Sequence, residues 1–88
     1  MDRSSYLVEA YAPRLSAAQL ATSAERARVA AAELTHEGTP VTYGRTIYLP
    51  VDETCFYLFE AASLAAVEAV TARAELAVQR IARAVEHQ

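Results

Sequence analysis

The sequence predicts one α+β domain in the order strand, helix, strand, strand, helix, strand. The four strands would form an antiparallel sheet, with both helices on one of its faces. Three observations indicate this class. Segments rich in β-branched and aromatic residues are separated by Ala-rich segments of helical periodicity. An acidic turn next to a proline joins two of the strand segments, and 88 residues make a single domain, residues 1–88.

The first strand and the first helix have clear local signals. YLVEAY, residues 6–11, consists mainly of strand formers and stops shortly before a proline. Ser16 precedes Gln19 by three residues, the spacing of a capping box at a helix start. Gly38 and Pro40 mark the end of the helix. Apolar residues between these signals recur at helical spacing, and they are Leu20, Ala24, Ala27, Ala31 and Leu34.

A hairpin and a second helix follow. VTYGRTIYLP, residues 41–50, is predicted as the second strand, PVDE as a turn, and TCFYLFEA, residues 54–61, as the third strand. Ser63 is placed to cap the second helix, with Val67 and Val70 on its inner face.

The C-terminal segment allows two interpretations. Residues 64–88 contain neither Gly nor Pro, and one helical stripe runs through Val67, Val70, Ala74, Val78, Ile81 and Val85. Local pattern alone therefore favours one long helix. A three-stranded sheet would, however, keep an unprotected edge. We predict that RIARAVE, residues 80–86, forms the fourth strand, which completes the two-layer domain.

Composition excludes several classes of function. The formal net charge is −3 and the pI is about 5.3, so there is no basic footprint for nucleic acid. No apolar run approaches the length of a membrane helix, and the N-terminal residues do not resemble a signal peptide. We therefore expect a cytoplasmic protein that binds neither nucleic acid nor membrane. Neither a nucleotide-binding loop nor a cofactor motif is recognisable, so no cofactor is predicted.

A chain this short buries a limited core, and small domains commonly gain stability from disulfides, metals or a second subunit. The only cysteine, Cys55, excludes an intrachain disulfide. Self-association is therefore the expected supplement, and we predict a homodimer.

Side chains alternate across a sheet, which divides each strand into two sets. We expect Val8, Phe56 and Leu58 to face the helices. The opposite, open face would then gather Glu9, Tyr11, Tyr43, Arg45, Cys55, Tyr57 and Phe59. Such a surface is typical of an interface or a binding groove, so we predict dimerisation through it, with Glu9 and Arg45 paired. The candidate ligand-binding residues are Glu9, Tyr11, Tyr43, Arg45, Cys55 and Tyr57.

Four segments, YLVEAY, GTPVTY, YLPVDETCFYLFEAAS and RIARAVE, together resemble a family of small bacterial ferredoxin-like proteins. The family is classed as a domain of unknown function and includes nickel-binding members. The resemblance implies a β-α-β-β-α-β fold of the dimeric α+β barrel type, in which two sheets pack face to face.

The same resemblance bears on metal binding. Family members often have His in the middle of the second strand and Cys in the third, where this chain has Arg45 and Tyr57. Neither is a good metal ligand, although Cys55 lies two residues from the second of these positions. Glu75 replaces a Gly that often precedes the last strand.

Three functional hypotheses, besides a purely structural or regulatory dimer, stay open at this point. In the first, the dimer holds a small apolar or aromatic molecule in a cavity between its sheets, with Arg45 meeting a carboxylate or enolate. In the second, implied by the resemblance, it binds nickel through Cys55, Glu9 and one of His36 and His87. In the third, it is a cofactor-independent cyclase or monooxygenase acting on an aromatic substrate, with Glu9 as base and Arg45 stabilising negative charge.

Overall fold

The computed structural model describes residues 2–87 and has the predicted element order. The sheet is antiparallel throughout, with strand order β2-β3-β1-β4, and the two helices cover one of its faces. This ferredoxin-like topology confirms the predicted fold class. The elements are β1 (Ser4–Tyr11), α1 (Ala17–His36), β2 (Val41–Leu49), β3 (Thr54–Ala61), α2 (Leu64–Arg73) and β4 (Val78–Ala84).

Both helices begin at the predicted caps. The Gln19 amide donates to Ser16 Oγ at 3.1 Å, and the Ser16 amide donates to Gln19 Oε1 at 2.8 Å, which completes the capping box. The Ala66 amide donates to Ser63 Oγ at 3.2 Å at the start of α2. None of the helices within residues 2–87 is long and apolar enough to cross a membrane.

The core between the helices and the sheet is built from small residues on the helix side and large ones on the sheet side. The buried positions of α1 are three alanines and one leucine, so this helix can lie close to the strands. Val67 and Val70 of α2 are fully buried, as predicted. The large buried side chains of the sheet are Val8, Tyr57 and Phe59.

The C-terminal segment forms a strand, so the long-helix alternative is wrong. α2 ends in a Schellman motif, in which the Glu75 amide donates to the Ala72 carbonyl and the Leu76 amide donates to the Thr71 carbonyl, both at 3.1 Å. Glu75 occupies the left-handed position of this motif, with φ of 57°. α1 ends in the same way with Gly38, whose φ is 101°.

Glu75→Gly is therefore expected to stabilise the protein by about 0.5–1 kcal/mol. A non-glycine residue in the left-handed region costs about 1–2 kcal/mol, of which the greater backbone entropy of Gly offsets a part. Urea unfolding measures the change. The matched control is Glu68→Gly in the exposed middle of α2, which should lower the free energy of unfolding by about 1 kcal/mol. Destabilisation by Glu75→Gly would contradict the strain argument.

The register between strands decides which side chains face the helices. β1 and β3 align Val8 with Tyr57, and they align Glu9 with Phe56. Directly paired residues share a face, so Tyr57 lies with Val8 under the helices and Phe56 lies on the open face. The prediction that Phe56 and Leu58 face the helices is therefore wrong, whereas that for Val8 is confirmed.

A β-bulge at Gly44 changes the alternation of β2. Tyr43 and Arg45 occupy successive partner positions on β3, so Gly44 is an extra residue in β2. Consequently Tyr43 and Thr46 share the helix-covered face, and their hydroxyl groups are 2.6 Å apart. A Cβ atom on Gly44 would lie 3.1 Å from the Leu58 carbonyl oxygen, which is why a residue without a side chain suits this position.

Candidate functional site

The open face of the sheet is an apolar surface that no element of residues 2–87 covers in the way the helices cover the other face. Ile47 and Leu49 of β2 are 48% and 40% exposed, and Tyr11 of β1 is 52% exposed. Leu7, Phe56 and Leu58, which lie on the same face, are half-buried. We call this surface, formed by Leu7, Tyr11, Ile47, Leu49, Phe56 and Leu58, the open apolar face.

Three of the predicted site residues, Glu9, Tyr11 and Arg45, lie on the open apolar face or among its side chains. Glu9 is the partner of Phe56 on one side and of Arg80 on the other. Arg45 is the partner of Leu58, one cross-strand row away from Glu9. The structure therefore brings a carboxylate, a phenol and a guanidinium to one side of the sheet.

The other three predicted site residues, Tyr43, Cys55 and Tyr57, lie on the helix-covered face, so their assignment to the open face is wrong. The bulge at Gly44 separates Tyr43 from Arg45. Tyr57 lies on the helix-covered face because it is paired with Val8, and Cys55, two residues away on the same strand, lies on that face too. Phe59, also expected on the open face, is fully buried on the helix side. Alternation within a strand defines two sets of side chains, but only pairing with the neighbouring strands tells which set is covered.

The ion pair predicted between Glu9 and Arg45 is absent among the residues that the structure describes. Arg45 Nη2 lies 3.5 Å from Glu86 Oε2, and the Glu86 carboxylate also accepts a hydrogen bond from Ser5 Oγ at 3.2 Å. The Arg45 and Glu86 side chains are 63% and 43% exposed. Exposed pairs of this kind contribute about 1 kcal/mol or less, so Arg45 can exchange this partner for another anion.

Tyr57 and Cys55 form part of a polar cluster beneath α1. The Tyr57 hydroxyl is hydrogen-bonded to Ser23 Oγ. Burial raises the pKa of Tyr57 to about 12, ahead of the opposing effect of the bond with Ser23, so the phenol is neutral at pH 7. Burial also raises the pKa of the Cys55 thiol, which is fully enclosed. A buried thiol with a raised pKa is an unreactive packing group.

Ser23 and Arg26 belong to this cluster and were missed at the level of sequence. Arg26 Nε and Nη2 both donate to the Ala74 carbonyl oxygen, at 3.1 and 2.6 Å, and Nη2 also donates to that of Glu75 at 3.2 Å. The two residues are three apart on α1, beside its apolar line, and that spacing was the only available signal. A spacing of three residues does not tell whether a polar side chain lies at the edge of the buried helix face or in solvent.

The residues considered for a metal are spread over the molecule. Cys55 lies on the helix-covered face and Glu9 on the open one, while His36 ends α1 and His87 follows β4. Within residues 2–87 no group of three His, Cys, Asp or Glu side chains is arranged to hold a metal ion.

Comparison with known proteins supports the fold. No family model matches the chain, and no curated protein matches it. Among solved structures, the crystal structure of SCO4226 from Streptomyces coelicolor A3(2) is similar. The TM-score is 0.72 at 19% sequence identity, over 96% of this chain and 99% of that one. At this identity the likeness establishes a shared fold over nearly the full length of both chains.

Proposed function

We propose that the protein is a homodimer formed through the open apolar face, and that the space between the two sheets binds a small apolar or aromatic molecule. The single observation behind this proposal is the open apolar face itself. A sheet of four strands spaced about 4.8 Å apart and about 25 Å long presents a face of roughly 500 Å². Glu9, Arg45 and Arg80 share this face with the open apolar face. A contiguous apolar patch bordered by polar residues is typical of an interaction surface.

Charge complementarity favours a second copy of this chain as the partner that covers the open apolar face. The open face contains Glu9 next to Arg80, with Arg45 one row away. In a two-fold dimer the same surface faces itself, so each acidic group of one copy can meet a basic group of the other. Such pairing is needed because an unpaired charge between packed sheets would cost several kcal/mol.

The polar groups also define where a ligand would lie. Glu9, Tyr11 and Arg45 are long side chains within an otherwise apolar surface, and they prevent the sheets from closing completely around them. The aromatic and aliphatic neighbours would contact the body of the ligand. Arg45, whose bond to Glu86 is exposed and long, would meet a carboxylate or enolate.

Sedimentation velocity of Leu58→Arg tests the dimer. Leu58 lies in the middle of the open face, so a guanidinium there would be buried twice in the symmetric interface. We expect the dissociation constant of the dimer to rise at least about 100-fold. The matched control is Val51→Arg, because Val51 is 96% exposed in the β2–β3 turn and should leave the dimer unchanged. A wild-type protein that stays monomeric at high concentration, or equal effects of the two variants, would refute the interface.

Binding of the fluorescent aromatic sulfonate 1-anilinonaphthalene-8-sulfonate tests the cavity. We expect the wild-type dimer to bind it and Arg45→Ala to bind it at least about 5-fold more weakly while staying dimeric, since a charge-assisted contact is lost. Arg28→Ala is the control, because Arg28 pairs with Glu25 on the exposed side of α1. If Arg45→Ala dissolves the dimer, Arg45 is a structural residue and the ligand part of the proposal fails. The ligand part of the proposal also fails if Arg45→Ala and Arg28→Ala bind the dye equally well.

A further inference from the structure

A cavity lies between α1, the end of β1 and the connection from α2 to β4. Its volume is about 190 Å³, smaller than the 300–1,000 Å³ typical of sites for drug-sized ligands. The lining combines apolar and polar groups, of which the relevant ones are Ala12, Leu15, Ser23, Arg26, Tyr57 and Leu76. A groove along α1 adjoins it and shares Leu15, Ser23 and Arg26.

Arg26 supplies a fixed positive charge at this cavity. The Schellman motif at the end of α2 leaves the Ala74 and Glu75 carbonyl groups for other donors, and Arg26 Nε and Nη2 bond to them. The remaining nitrogen, Nη1, donates to no atom of residues 2–87. Within the same range, no carboxylate lies at salt-bridge distance from this guanidinium. A pre-positioned cation without an anionic partner suits an anionic ligand.

The hydroxyl groups of Ser23 and Tyr57 supply a second recognition element. They are bonded to each other, and either oxygen can be the donor. Two hydroxyl groups hold two hydrogens and their mutual bond uses one. The other hydrogen is available to a ligand when Tyr57 donates to Ser23, whereas a free Tyr57 hydrogen would have the Cys55 thiol as its acceptor. Tyr57 stays neutral at pH 7 and therefore keeps this donor capacity.

We infer that this cavity binds a small monocarboxylic acid of about one ring in size. Its carboxylate would bond to Arg26 Nη1, the Ser23–Tyr57 pair would donate to a carboxylate or hydroxyl oxygen, and the ring would contact Leu15 and Leu76. Glu75 also lines the cavity, and its negative charge opposes the ligand. The site lies within one subunit and mainly on the helix side; Tyr11 is the one residue of the open apolar face that also lines it.

Titration with benzoate, followed by amide chemical shifts of the uniformly labelled protein, tests this site. We expect saturable binding near 1 mM, as suits a ligand of nine heavy atoms, with the largest shifts near Ser23, Arg26 and Leu76. Benzamide, which has the same shape without the charge, should bind at least about 10-fold more weakly. The monomeric Leu58→Arg variant should bind benzoate like the wild type, which separates this site from the proposed inter-sheet cavity.

Variants complete the test. Arg26→Gln should reduce benzoate affinity at least about 10-fold, and Ser23→Ala should reduce it about 3-fold without the loss of the Arg26 contacts to α2. Glu75→Gln should increase the affinity about 2- to 5-fold by removing the opposing charge. Equal binding of benzoate and benzamide would overturn the inference. So would shifts confined to the open face, or unchanged affinity in both Ser23→Ala and Glu75→Gln.

Discussion

Replacing Phe59 with Ala is expected to lower the free energy of unfolding by about 3–5 kcal/mol, which would leave little of the folded state. Phe59 is fully buried beneath the helices, and its ring packs edge-on against Tyr43 with centroids 5.9 Å apart. Truncation removes this contact and creates a cavity that the small helix residues opposite cannot fill. Urea unfolding monitored by circular dichroism measures the loss.

Phe56→Ala is the matched control, three residues away on the same strand and on the opposite face. Its ring is only half-buried in one chain, so its truncation should cost about 1 kcal/mol under conditions where the protein is monomeric. The unfolding free energies of the two variants should be compared at a protein concentration so low that further dilution does not change the unfolding midpoint. Equal costs of the two substitutions would mean that the assignment of faces in β3 is wrong. At higher concentration Phe56→Ala should instead weaken the dependence of the midpoint on protein concentration.

Deletion of Gly44 is expected to lower the free energy of unfolding by only about 1 kcal/mol or less. Tyr43 and Arg45 already lie opposite two neighbouring residues of β3, so without the extra residue β2 becomes a regular strand and every side chain keeps its present face. Tyr43 therefore stays in the core. Tyr48 keeps the bonds in which its hydroxyl donates to the Ala12 carbonyl at 3.0 Å and accepts from the Leu15 amide at 3.2 Å.

Gly44→Ala separates the role of the extra residue from that of the missing side chain. The added methyl group would lie 3.1 Å from the Leu58 carbonyl oxygen and 3.6 Å from its Cβ atom, which a small shift of the strands relieves. A cost of about 1 kcal/mol or less is expected, again by urea unfolding. A loss of about 3 kcal/mol or more from the deletion would contradict this and would show that the extra residue is required for the fold.

The helix starts were predictable because their signals are local. Ser16 and Gln19 each accept a hydrogen bond from the other's backbone amide within one turn, and Ser63 accepts one from the Ala66 amide at the start of α2. These bonds join residues three apart, so they do not depend on the rest of the chain. The end of α2 was harder. Glu75 gives no local signal for a left-handed residue, so the strand after it was predicted from the need to complete a sheet rather than from its own pattern.

The candidate site was predicted in part. Glu9, Tyr11 and Arg45 lie together on the open face, as expected from their alternation. Tyr43, which the bulge separates from Arg45, lies on the other face. The polar cluster under α1 was not predicted, because a hydrogen bond between Ser23 and Tyr57 joins residues from two elements whose relative position the sequence does not express.

By itself, the sequence determined the first five elements, the starts of both helices and the two alternating sets of side chains on β1 and β3, since these depend on neighbours a few residues apart. Only the tertiary structure decided which set is covered by the helices. That choice depends on the register that aligns Val8 with Tyr57 and on the one-residue bulge at Gly44. Both are set by packing between segments distant in sequence, and a shift of one residue in the register exchanges the core with the open face.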